Sequence, residues 1–228
     1  GMLARLPGWD RLGLLDPEKD REGASPLQCV VARRDGEVTG YARFRVRPDW
    51  EPAGPKGTVV LDELAGLDAA TEAALWRFLF DVDLTSTLTA RGRPVDEAWQ
   101  YQVSDIRRCR PTLRDALYVR LVDVGAALAA RTYQAPVDVV VEVEDAFCPW
   151  NQGRWRLSGD RKGASCERTS DAADLALSVR ELGAAYLGGV SLASLAAAGR
   201  VRELRSGALT EASVGFGSPV APWLPYGF

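Results

Sequence analysis

Carboxylates, thiols and arginines are the side chains in this sequence whose spacing could support chemistry. Asp62-Glu63 and Glu142-x-Glu144 place acids one and two residues apart on stretches with strand character. On a strand, neighbours alternate faces and residues i and i+2 share one. An acid pair or a cation site is the sharp reading of these carboxylates, and a solvated strand edge is the plain one, which we take. Cysteines stand at 29, 109, 148 and 166 with no C-x-x-C pair, which argues against a zinc cluster. Cys148 and Cys166 flank a predicted hairpin that could bring them close, and reduced, buried thiols of a cytosolic protein are the expectation. Arg43, Arg45 and Arg47 recur with period two, a row that could grip a phosphate or simply form the solvated face of a strand; the second is the expectation. The chain has no histidine, which excludes Ser-His-Asp chemistry, imidazole bases and histidine metal sites.

Phosphate-cradling loops are missing. No G-x-G-x-x-G opens a helix and there is no P-loop. Gly188-Gly189 follows a helical stretch instead of opening one, and reads as a stop signal.

The elements that would carry these residues can be placed along the chain. Residues 28–47 read as a hairpin about Asp35-Gly36, with Ala42, Phe44 and Val46 facing in and Tyr41, Arg43, Arg45 and Arg47 facing out. A strand at 58–64 follows a Pro/Gly-rich loop. Asp68 then caps a helix to Phe80, with Leu75, Leu79, Ala74 and Phe78 on its packing side. A strand at 84–89 completes a mixed α/β pattern. Residues 117–124 read as another strand, with Asp123 capping an Ala-rich helix that runs to Tyr133. Val137, Val139, Val141 and Val143 alternate with Asp138, Val140, Glu142 and Glu144, Trp155 and Leu157 continue the pattern after a turn at 151–153, and Leu175, Leu177 and Val179 form a third strand. Helices are expected at 181–187, at 192–198 behind the Ser191 cap, and near 208–214. This half reads as a small sheet packed under helices, its core filled and without an apolar tunnel.

The bulk numbers bound the partners. With 46% hydrophobic residues a sizeable core can be buried, and a net charge of −3 without long runs lacks the basic surplus of a nucleic-acid footprint. No apolar run approaches the roughly 18 residues of a membrane helix, and the first residues lack the shape of a signal peptide. A cytoplasmic location is expected. Gly1 ahead of Met2 fits a tag remnant or a chain cut from a longer one.

Three stretches are more specific than composition: Ala74–Leu84, Leu117–Tyr133, and Glu181–Val201 with its Tyr-Leu-Gly-Gly and Leu-Ala-Ala-Ala-Gly-Arg segments. In order and spacing they resemble the central and C-terminal parts of the Eis (enhanced intracellular survival) family of GNAT N-acetyltransferases. The ending Trp223-Leu-Pro-Tyr-Gly-Phe228 fits as well. The resemblance implies an α/β (α+β) chain: a central GNAT-like mixed-sheet domain over residues 1–114, N-terminally truncated and without a CoA site, and a sterol-carrier-protein-like α/β domain over 115–228. It implies an acetyl-CoA-dependent N-acetyltransferase acting on amines of aminoglycosides or lysine, assembled as a homo-hexamer. No cofactor would be bound by this chain, acetyl-CoA being a co-substrate held by a catalytic domain outside it. The resemblance implies that the Arg/Gln-x-x-Gly-x-Gly/Ala signature that cradles the CoA pyrophosphate in GNAT enzymes belongs to that outside domain.

By the same resemblance Trp9, in the pair Trp9-Asp10, lines the substrate cleft, and the terminal carboxylate of Phe228 is the general base. No metal is implied. A free α-carboxyl has a pKa of roughly 3.5, and burial near a cleft would raise it toward a useful value. Pro219, Pro222 and Pro225 would stiffen the tail that delivers it. One departure is Gly227, where a family member carries an acid; its loss weakens attraction for polycations. Two other functions compete with this one. A sterol-carrier-like lipid module would need an apolar tunnel lined by Val139, Val141, Leu175 and Leu187, and a non-catalytic scaffold would only support oligomerisation.

Overall fold

The computed structural model describes Ala4 and residues 6–225, without the side chain of Asp10. The chain divides into two compact units, one reaching Leu113 and the other spanning Arg114–Leu224.

The first unit is built on local turn and cap chemistry. A short helix, α1 (Trp9–Leu12), precedes strands β1 (Gln28–Arg34) and β2 (Glu37–Arg47). Asp35 and Gly36 take φ of 52° and 88°, the paired left-handed conformations of a type I′ turn, so β1 and β2 close as the expected antiparallel hairpin. A two-residue ribbon, β3 (Trp50–Glu51) with β4 (Gly54–Pro55), occupies the Pro/Gly-rich loop. β5 (Gly57–Gly66) pairs antiparallel with β2, and α2 (Ala69–Phe80) crosses over to β6 (Thr85–Ala90), which runs parallel to β5. The sheet order is β1-β2-β5-β6. Short helices α3 (Trp99–Gln102) and α4 (Ile106–Cys109) follow.

Asp68 caps α2 by accepting the N–H of Thr71 at 2.8 Å. The helix buries Leu75, Trp76 and Leu79 against Ala42, Phe44, Val59, Leu61 and Leu64. Ala74 and Phe78 are exposed, not on the packing side as expected. Thr71, Leu75 and Leu79 form the inner i,i+4 row, and Trp76 extends it on the other flank. Phe78 makes an edge contact with Phe44, ring centres 6.1 Å apart.

The second unit holds α5 (Val124–Ala129), β7 (Val137–Glu144), β8 (Gly153–Asp160), β9 (Gly163–Arg168), β10 (Leu175–Ser178), α6 (Val179–Ala185), α7 (Leu192–Ala197), β11 (Val201–Glu203) and α8 (Ala208–Phe216). Its sheet runs β11-β10-β7-β8-β9, with β10 parallel to β7 and the other neighbours antiparallel. Four of the five valines of β7, Val137, Val139, Val141 and Val143, face in as expected and pack with Trp155, Leu157, Leu175, Leu177, Leu182 and Phe216, and Val140 is buried as well.

Several expectations are corrected here. Residues 117–124 form no strand. Leu121 and Val124 are buried, but the segment lies against α6: a Cβ on Gly183 would stand 2.4 Å from the Val119 carbonyl. Alternating burial reports one covered face and does not require a ladder partner. Val179 opens α6 instead of ending β10, because Ser178 and Glu181 form a capping box there. α5 ends at Ala129, and Tyr133 turns into the core, its hydroxyl donating to the Leu128 carbonyl at 2.9 Å. Leu187 is 38% exposed, so it does not line the core with Val139, Val141 and Leu175. Strands β9 and β11 were not anticipated; each offers too few apolar residues to show a period.

Candidate functional site

The arginine row of β2 is not a solvated face. The side chains of Arg43 and Arg45 are only 11% and 18% exposed. Arg43 pairs with Glu63, and Arg45 with Asp62 and Asp16. Arg47 reaches Glu22 at 3.2 Å. Adjacent acids can serve adjacent arginines because the β2–β5 register slips between Arg43 and Phe44: Arg43 faces Glu63 while Phe44 faces Leu61, leaving Asp62 as the extra residue of a β-bulge. Asp62-Glu63 is therefore not simply solvated, since both acids are committed to ion pairs with the arginine row. Burial pushes the Asp62 pKa up, against the pull of Arg45 and Arg43. Asp16 is drawn down to about 2, first by the N–H of Leu27, with Arg21 and Arg45 helping against burial. This network staples residues 13–27 to the sheet, and each arginine of the row already has a carboxylate. On β7, Glu142 pairs with Arg154 at 3.3 Å. Among the described residues no group of three or more His, Cys, Asp or Glu side chains is placed to hold a metal.

The place where a βαβ unit could accept a phosphate is the fork between β5 and β6 and the start of α2. β6 pairs with β5 only from Gly57 to Leu61. Beyond that point Arg93 reaches in: its Nη1 donates to the Leu64 carbonyl at 3.3 Å, and its guanidinium pairs with the buried Glu97. Arg93 also lies 5.8 Å from the Trp76 ring centre, and Trp76 meets Trp99 at 6.2 Å. The N-terminus of α2 carries acid of its own. Asp68 takes the Thr71 N–H and pairs with Arg34 at 3.0 Å, and its pKa falls to about 2, chiefly through the Thr71 N–H. Glu72 sits in the first turn, its pKa raised by burial and by Glu97. An arriving pyrophosphate would meet carboxylates where a cradle offers free N–H groups. These residues do not fit a CoA phosphate site.

In the second unit, the chain's exit is organised by Arg131. Its guanidinium donates to the Tyr186 carbonyl just past α6 and, at 3.0 Å, to the Phe216 carbonyl that ends α8. The charge thus sits at two helix C-termini, where the backbone dipoles favour a cation. The rings of Tyr133, Phe216 and Tyr186 lie 4.6, 4.7 and 5.6 Å from it. Burial pushes the Arg131 pKa down, opposed by Tyr133 and Tyr186. The chain leaves Phe216 through Gly217, and Ser218 Oγ donates to the Val220 carbonyl at 2.7 Å. Residues 221–225 are half-buried.

Of the two expected site residues, Trp9 opens α1 in the first unit, 37% exposed. Phe228 lies outside the described residues.

Residues 1–121 match the model of the acetyltransferase (GNAT) domain family, and residues 124–225 match that of the sterol carrier protein domain. The chain is 34% identical over 225 residues to the N-acetyltransferase Eis of Mycobacterium tuberculosis, covering 96% of itself and 51% of that protein. The chain belongs to the Eis-like GNAT N-acetyltransferase family. Over its full length this Eis-like chain is 86% identical to the uncharacterized N-acetyltransferase SCO2625 of Streptomyces coelicolor, of which it covers 55%. It superposes on the crystal structure of Eis1 from Mycobacterium abscessus with a TM-score of 0.74 at 33% identity, over 99% of this chain and 55% of that one. It spans about half the length of the curated relatives it matches. The expected order, a GNAT-type domain followed by a sterol-carrier-type domain, holds.

Sequence reasoning missed Arg93 and Arg131 because their Leu64, Tyr186 and Phe216 carbonyl partners are distant in the chain. The one local signal was Arg93-x-x-x-Glu97, an i,i+4 ion-pair spacing.

Proposed function

We propose that this chain is the C-terminal portion of an acetyl-CoA-dependent N-acetyltransferase acting on amines of aminoglycoside or lysine type, in the cytoplasm. It contributes substrate cleft, oligomer contacts and the terminal carboxylate base. The observation that carries the reading is the match to Eis proteins along almost the whole chain, through both domains. The acid-filled start of α2 and the Arg93 plug support leaving acetyl-CoA to the part of the protein outside this chain.

In this reading the amine nitrogen attacks the thioester carbonyl. The new C–N bond forms, the C–S bond breaks, and CoA leaves as a thiol after taking a proton from an acid outside this chain. The proton lost by the amine goes to the Phe228 carboxylate, directly or through a water. With no histidine in the chain, a positioned carboxylate is the base it can offer, worth typically 10²–10⁴-fold. Trp9 presents a flat apolar wall to the substrate. The lipid-module alternative is disfavoured because Val139, Val141 and Leu175 are buried against other core side chains. The test is thiol release when the intact protein meets acetyl-CoA and a panel of aminoglycosides and lysine peptides. Acceptor-dependent release is expected; donor hydrolysis that no amine accelerates would contradict it.

A further inference from the structure

Gly188-Gly189 ends α6, but its surroundings ask for more than a helix stop. Gly188 adopts φ 78°, the left-handed conformation that helix ends use. A Cβ there would lie 2.8 Å from the Phe216 carbonyl oxygen and 2.8 Å from both Cβ and N of Ser218. Gly189 has no left-handed backbone to explain it. A Cβ on Gly189 would nonetheless stand 2.6 Å from Cδ and 2.7 Å from Cγ of Pro222, closer than the 3.0 Å that real Cβ atoms essentially never breach. One glycine suffices to stop a helix. The second is required only by the tail that crosses it.

The two walls of this crossing are tied by one side chain. Arg131 holds the Tyr186 carbonyl, just before Gly188, and the Phe216 carbonyl from which the tail departs. The Ser218 hydroxyl bends the intervening backbone through Val220, and Pro219 and Pro222 restrict it further. Pro222 stands six residues before the terminus.

We propose that Gly188-Gly189 is the seat of the C-terminal tail, and that Gly189, Pro222 and Arg131 are positioning residues that set where the Phe228 carboxylate is delivered. The inference rests on the reading of that carboxylate as the base. A methyl group on Gly189 would drive the Pro222 ring away by roughly 1 Å to regain ordinary contact. A misplacement of about 1 Å at a reacting group can cost roughly 10²-fold.

The experiment is a double-mutant cycle in the intact enzyme, with Gly189→Ala, Pro222→Ala and the pair, beside a variant extended by one glycine after Phe228. Gly189→Ala is expected to lower kcat by about tenfold or more while KM for acetyl-CoA changes less than about twofold. Pro222→Ala deletes the two clashing ring carbons, so the double variant should return to the kcat of Pro222→Ala alone. A second readout is independent of activity: chymotryptic cleavage at Trp223 should quicken in Gly189→Ala and slow again in the double variant. Wild-type turnover and wild-type cleavage in Gly189→Ala would overturn the seat, as would losses that Pro222→Ala does not relieve. If the glycine extension leaves turnover intact, the base reading fails instead, and the cleavage pattern alone then decides the seat.

Discussion

At the scale of the residue, Asp145 does the most work for its size. Its side chain is 1% exposed. The carboxylate accepts from the N–H groups of Phe147 and Cys148 at 3.1 and 3.0 Å, from Arg120 at 2.7 Å and from Asn151 at 3.0 Å. Asn151 passes the constraint on: its amide donates to the Leu121 and Val122 carbonyls and its Oδ1 accepts the Val124 N–H. This relay holds residues 121–124 in place without a ladder. Burial pushes the Asp145 pKa up, but the bonds from Asn151, Cys148, Arg120 and Phe147 outweigh it and bring it down to about 2. Because the folded value lies below the ordinary 3.8, the stabilisation is fully present above about pH 4 and fades as pH falls through about 2. Asp145→Asn should lower stability by about 3 kcal/mol at pH 7, by stranding buried donors, and should flatten the loss between pH 4 and 2. Urea midpoints at both ends of that window read it; a pH 7 midpoint like wild type would refute the relay. Thiol chemistry gives a second check. Burial pushes the Cys166 thiol up to about 12, with Asp123 and Glu167 adding to it. Iodoacetamide at pH 8 should label the exposed Cys29 and Cys109 quickly and leave Cys148 and Cys166 unmodified. Rapid labelling of all four in the folded protein would contradict the packing.

At the scale of the element, what could be read in advance was whatever is encoded locally. The Asp35-Gly36 turn and the Asp68 cap specify β1–β2 and α2 within a few residues, and both form as expected. The β2–β5 bulge was not legible, because it depends on which residue of a partner strand sits opposite Arg43. The arginine row was misjudged for the same reason: Asp16 and Asp62 reach it only once the sheet exists. Residues 117–124 show the converse, a strand-like pattern whose burial is satisfied by α6. Asp68→Ala removes a carboxylate that caps α2 and should destabilise the fold, seen as a lower urea midpoint with unchanged slope. The acid at the head of α2 also predicts that this 228-residue chain alone shows no saturable micromolar binding of acetyl-CoA by calorimetry. Tight binding would show that the fork between β5 and β6 can open.

At the scale of the molecule, each unit has its own core, one around Leu75 and Phe44 and the other around the β7 valines. Large apolar side chains nevertheless remain uncovered on both, among them Phe78 and Phe80 on α2 and Phe147 and Trp150 on the second unit. Such surface is consistent with a homo-oligomer, and light scattering of the intact protein should report one; a clean monomer at high concentration would count against it. The two-domain order was legible through family-like stretches in the chain. The proposed base was suggested only by the resemblance, because a terminal carboxylate has no motif. The most direct measurement of the central claim is therefore turnover after adding one glycine beyond Phe228 of the intact enzyme. The addition moves the charge by roughly 3.5 Å. The account predicts at least a tenfold fall in kcat, with folding and acetyl-CoA binding unchanged. Full turnover in the extended enzyme would show that the proton is taken by another group and that the tail is structural.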